Sequence, residues 1–214
     1  MLTIKELSIA VHENSVAHGW WDSERSVEET IALIHSEFSE ALEEYRAGRP
    51  MVWYACLEDP KGQEVCAPKD ESECTMFGHE SECKYKGHKP EGIAVELIDG
   101  VIRILDYIGR HEVCNSDYET LDALVSDVPR QHVTVDLPIL VTGLHLYTSI
   151  SYHALSNGSD ESKNKLQVHF AYLYQVMGVA CAWLAANGID YYSVLIEKHE
   201  YNKTRSYKHG NKIC

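Results

Sequence analysis

Alternating apolar and polar stretches of the kind that form strands are scarce in this 214-residue chain, which leaves little from which to build a sheet. A mostly α fold is expected. No apolar run approaches the length needed to span a bilayer, and the opening MLTIKELSIAVHENS has no signal-peptide core. Both absences point to a cytoplasmic protein with no membrane partner. Basic residues are outnumbered, 19 Lys and Arg against 33 Asp and Glu, for a formal net charge of −14. That balance argues against a non-specific nucleic-acid binder. It favours cations, or small anions delivered as their magnesium complexes. The chain has 12 histidines, yet none follows Glu or Asp by three positions. The Glu-x-x-His pairs of di-iron helical bundles are therefore missing. Seven cysteines include no Cys-x-x-Cys knuckle, and without a signal peptide they are expected as reduced thiols. No internal repeat is evident.

What is present is helical periodicity. Hydrophobic residues make up 44% of the chain, enough for one substantial domain spanning 1–214. Residues 2–18 read as a first helix, with Ile4, Leu7 and Val11 on one side. Ser26 caps a second that runs to about Ala47, with Glu29 completing a capping box and Gly48 and Pro50 ending it. A third runs from about Glu91 to His111. A polar connection follows to about Pro129. Two long apolar-faced helices cover 136–156 and 161–187, and a shorter one starts near Tyr191. Residues 51–90 differ in composition and read as an insertion rich in Cys and His.

Two acidic signatures carry the chemistry. Glu37-Phe38-Ser39-Glu40 lies on the second helix and Glu96-Leu97-Ile98-Asp99 on the third. In each, two carboxylates three residues apart point from one face. Two such faces brought together make an oxygen-rich cage suited to a hard cation, Mg²⁺ or Mn²⁺. The third helix is apolar on nearly all sides, with Glu96, Asp99, Arg103 and Asp106 squeezed into one narrow band. Buried acids are costly unless paired or bound to metal. The bland alternative is an internal ion pair in which Arg103 neutralises Glu96 or Asp99.

Three further groups bear on function. The C-terminal stretch is locally basic, with Lys198, Lys203, Arg205, Lys208, His209 and Lys212 among Tyr201, Asn202 and Tyr207. It reads either as a frayed terminus or as a phosphate clamp. Trp20 and Trp21, with Asn14 and His18 nearby, read either as bundle-end packing or as a base-stacking pocket. Cys66, Cys74 and Cys83, with Cys56, His79 or His88, could bind a structural Zn²⁺; the alternative is a reduced, metal-free loop.

IHSEFSEALEEYR, EGIAVELIDGVIRILD and KHEYNKTRSYKHGNK together resemble, in order, the MazG-like all-α nucleoside triphosphate pyrophosphatases. The resemblance implies a four-helix core, here with extra helices and the Cys-rich insertion, completed as a homodimer or homotetramer. It implies Mg²⁺ on Glu37, Glu40, Glu96 and Asp99, and hydrolysis of (deoxy)nucleoside triphosphates to monophosphate and pyrophosphate in housecleaning of the nucleotide pool. Lys198, Asn202 and Arg205 fall at the family's Lys-x-x-x-Asn-x-x-Arg phosphate-binding positions, with Lys203, Tyr207, His209 and Lys212 in the same tail. Two other readings compete: a non-catalytic helical metal- or partner-binding protein, and a nucleotide phosphohydrolase that releases phosphate.

Overall fold

A computed structural model of the protein describes residues 1–55, 65–66, 89–112, 118–156 and 162–208. Helices dominate them: α1 (Ile4–Ala17), α2 (Val27–Arg46), α3 (Ile93–His111), α4 (Leu121–Ser126), α5 (Leu137–Ser156), α6 (Ser162–Ala186) and α7 (Tyr191–Lys203). The all-α class holds.

Capping explains where the first helices begin. Thr3 and Glu6 form a reciprocal capping box at α1, Glu6 N–H donating to Thr3 Oγ1 at 3.1 Å and Thr3 N–H to Glu6 Oε2 at 2.8 Å. At α2, Ser26 accepts from the Glu29 N–H, but the Glu29 carboxylate pairs with Arg25 at 3.4 Å. The full box expected there is thus only half made.

Helix α3 is the hub. It packs against α1, α2, α6 and α7, while α5 lies on α2 and α6. Its apolar residues are buried almost all round, including Leu97, Ile98, Val101, Ile104, Leu105 and Ile108. Gly109 lets α1 approach closely: a Cβ there would overlap the Ser8 carbonyl oxygen and press on His12. Gly109→Ala should therefore push α1 off α3, at an overpacking cost of roughly 1–3 kcal/mol. A thermal melt indistinguishable from wild type would refute that close approach.

Three expectations are corrected. The insertion read over 51–90, where strand patterns are scarce, holds strands in its described residues. Strands β1 (Trp53–Ala55), β2 (Val65–Cys66) and β3 (Lys89–Glu91) form a small antiparallel sheet in the order β2-β1-β3, with Tyr54 opposite Cys66 and Pro90. Strands this short carry no readable alternation. The polar connection after α3 contains α4, whose Leu121 and Leu124 are buried; α4 packs on α6. Lastly, Lys165–Ala186 of α6 is long and apolar enough to cross a bilayer, although most of it is buried in the bundle. Core burial asks for the same composition as lipid does.

Candidate functional site

On α3, Glu96, Asp99, Arg103 and Asp106 follow at steps of three and four, so they share one face. That face meets α2 and α7. One carboxylate oxygen from each of Glu37, Glu96 and Asp99 comes within 4.8 Å of the others. Glu37 and Glu96 are buried, and Asp99 is half-buried. Glu40 is exposed and lines the same cavity without joining this triad.

Two cations already balance the acids. Arg103 Nε donates to Glu37 Oε1 at 2.9 Å. Lys198 Nζ lies 2.8 Å from Asp99 Oδ2 and donates to the Pro90 carbonyl at 3.3 Å. The internal ion pairs therefore run between helices. The expected pairing of Arg103 with Glu96 or Asp99 is replaced by a pair with Glu37, because α2 brings that carboxylate closest. Lys198, placed by the sequence in a phosphate clamp, lines the cavity, is 2% exposed and holds Asp99 and the β3 backbone.

The electrostatics match a cation site. Burial, reinforced by the Asp99 charge, pushes the Glu96 carboxyl up to about 9, against the pull of Lys198. Burial likewise raises Glu37; Arg103 opposes the shift, while Asp99 and Glu40 add to it. Burial would lower Lys198, yet Asp99 and Glu96 outweigh it and hold the ammonium above its ordinary range. A metal-free site thus favours protons on acids that a divalent cation would displace.

The cavity beside the triad opens to solvent and has a volume of about 180 Å³. Asn14, Ser15 and His18 from the end of α1, and Trp20 just after it, form one wall. His199, Asn202 and Arg205 from α7 and the turn beyond form another. Burial pulls Arg205 below its ordinary range, with Tyr201 and Asp99 pulling it back, so its guanidinium lies within electrostatic reach of Asp99.

Several expected contributors lie elsewhere. Lys203 is exposed and pairs with Glu200 at 2.6 Å. Tyr207 is also exposed; it donates to Asp22 and covers Gly19, whose φ of +78° suits a residue without Cβ. Neither side chain lines the cavity. Trp21 is a structural anchor, not part of the pocket wall: its Nε1 donates to Asp106 at 2.9 Å, and Arg25 and Arg110 lie over its ring. His209 and Lys212 lie outside the described residues. So do Cys56, Cys74, Cys83, His79 and His88, while Cys66 is described only as backbone of β2. The zinc expectation therefore stays a reading of the sequence. Cys181 is buried in the core as expected.

The residue that sequence reasoning undervalued is Asp106. It is buried, and it takes His12 Nδ1 at 2.8 Å as well as the Trp21 indole, with Arg25 at 4.0 Å. It fastens the turn after α1, which carries Trp20 to the cavity. Its place in the acidic band of α3 was a signal, but its partners lie 94 and 85 positions away in sequence.

Comparison with known protein families, curated proteins and solved structures found no match to this chain.

Proposed function

We propose that the protein is a divalent-cation-dependent nucleoside triphosphate pyrophosphohydrolase. The supporting observation is the juxtaposition of three converging carboxylates with a cavity that also holds Arg205. A cation cage and an anion-binding side chain on one cavity suit a substrate that arrives as a metal complex of a polyphosphate. The three ordered motifs that resemble the MazG-like enzymes support the same reading. By that resemblance the working unit is a homodimer or homotetramer. Ile139 and Leu146, seven residues apart on α5 and both exposed, offer an apolar face for assembly.

Glu37, Glu96 and Asp99 fit Mg²⁺ or Mn²⁺ by donor chemistry: all offer carboxylate oxygen, and the two cations that pair with Glu37 and Asp99 leave a third buried acid, Glu96, to be compensated. A bound divalent cation would neutralise phosphate charge and acidify a water. Glu40, exposed at the cavity wall, orients the attacking water and accepts its proton. The water oxygen bonds to the α-phosphorus, the bond from that phosphorus to the bridging oxygen breaks, and pyrophosphate leaves with the electron pair. Arg205 holds the departing phosphates, and Trp20 shields the ligand from solvent.

The two ion pairs favour a second reading, a non-catalytic helical binding protein whose acids are balanced internally. Product analysis separates the possibilities. Purified protein with Mg²⁺ and a panel of ribo- and deoxyribonucleoside triphosphates should yield monophosphate and pyrophosphate. Diphosphate and phosphate would instead mark a phosphohydrolase, and no turnover by folded protein would favour the binding protein.

A further inference from the structure

Strand β3 ties the insertion to the acidic centre. It is held from several sides. The Pro90 carbonyl accepts from Lys198 of α7. The paired strand β1 is anchored to two helices: Tyr54 Oη donates to Glu197 of α7 at 2.9 Å, and Trp53 Nε1 to Glu44 of α2 at 2.6 Å. Gly92, with φ of +110°, turns β3 straight into α3; a Cβ there would lie 2.7 Å from the Met51 carbonyl oxygen. Glu96 therefore sits in the first turn of a helix that begins two residues after Glu91.

Lys89 and Glu91 are two apart on β3, so both side chains leave one face of the strand, and they form an ion pair. The Glu91 charge reaches Glu96, Lys198 and Arg205, all of which line the cavity. Lys89 lines it too, so its Lys and Arg side chains are Lys89, Arg103, Lys198 and Arg205. Arg103 is committed to Glu37 and Lys198 to Asp99, both candidate metal ligands. Lys89 is not: its partner Glu91 lies outside the triad, and its side chain is 32% exposed. An ammonium has three donors, and one carboxylate oxygen takes only one of them.

We propose that Lys89 is an anion-binding residue of the centre: it keeps Glu91 and donates a further hydrogen to the departing pyrophosphate, beside Arg205. The two cations come from separate elements, β3 and the turn after α7, and a diphosphate has oxygens enough for both. The insertion then contributes a residue to the substrate site. Lys89 lies outside all three motifs that carry the family resemblance. The inference takes its ligand class from the pyrophosphohydrolase reading above.

The test is calorimetric titration of the full-length, Mg²⁺-loaded protein with inorganic pyrophosphate. Lys89→Met should bind it about 10- to 100-fold more weakly than wild type, the range for a lost hydrogen bond to a charged group. Lys89→Arg should recover most of that loss. Glu91→Gln separates binding from scaffolding, because it breaks the ion pair and keeps the ammonium. It should bind pyrophosphate at least as tightly as wild type, whereas a Lys89 that only holds Glu91 in place would make it as weak as Lys89→Met. Lys203→Met, whose lysine pairs with Glu200 away from the cavity, should match wild type. Unchanged affinity in Lys89→Met, a Glu91→Gln loss equal to it, or no binding of pyrophosphate by wild type would overturn the proposal. If Lys89→Met does not fold, Glu91→Gln still decides. The parent reading fails differently: Lys89-dependent pyrophosphate binding without pyrophosphate release from triphosphates would leave this contact standing and remove the pyrophosphohydrolase.

Discussion

Glu96→Gln is expected to lower pyrophosphate release by at least about 10²-fold, the range typical of losing a group that acts in the transition state, while leaving the fold intact or firmer. The reason lies in what occupies Glu96 before metal arrives. Its carboxyl is pushed up to about 9 by burial and by Asp99, so at neutral pH the metal-free protein holds it protonated. Gln has nearly the shape and charge of that protonated acid, but it cannot become the anion a cation needs.

Stability should report the same difference. The ordinary glutamate value is 4.5, and the folded value is about 9. Between them the folded chain holds a proton that the unfolded chain has released. Stability of metal-free wild type therefore falls as pH rises through that window, by up to about 1.4 kcal/mol per pH unit for one proton. Glu37 is shifted in the same direction and adds to the slope. Below 4.5 both states are protonated and the Glu96 contribution is flat. Melting curves in chelator across this range should be steeper for wild type than for Glu96→Gln. Parallel curves, or wild-type turnover by the variant, would remove Glu96 from the site.

Lys198→Met should be the most destabilising substitution in the cavity. It strips the counter-charge from Asp99 and leaves the Pro90 carbonyl without its donor. Removing one partner of a buried ion pair costs about 3–5 kcal/mol. In a chain of this size that is a fall in melting temperature on the order of 10 °C. Divalent cation should recover part of the loss, because it supplies the missing charge to the same carboxylates. A variant as stable as wild type in chelator, with only a raised KM, would return Lys198 to the phosphate clamp that the sequence suggested.

The ion pairs of the cavity show what a sequence can and cannot express. Local rules placed the helices well: Ser26, the periodicity of α3 and the turn before Tyr191 each rest on neighbours a few positions away. The acidic band of α3 was legible for the same reason. Partners across the fold were not. Arg103 finds Glu37 at a separation of 66 residues, and Asp106 finds His12 and Trp21 from further still. Lys203 and Asn202 are adjacent in sequence, yet one faces solvent and the other the cavity, a distinction set by how α7 is rotated against α3. The small sheet leaves no alternation to read in the sequence because β1 is only three residues long.

The placement of Lys198 also has a bearing on the order of events in the life of the chain. An anionic centre that recruits its only counter-charge from solution must wait for metal before it can close. Here the counter-charge is built into α7, so folding of the acidic centre can finish where free divalent cation is scarce.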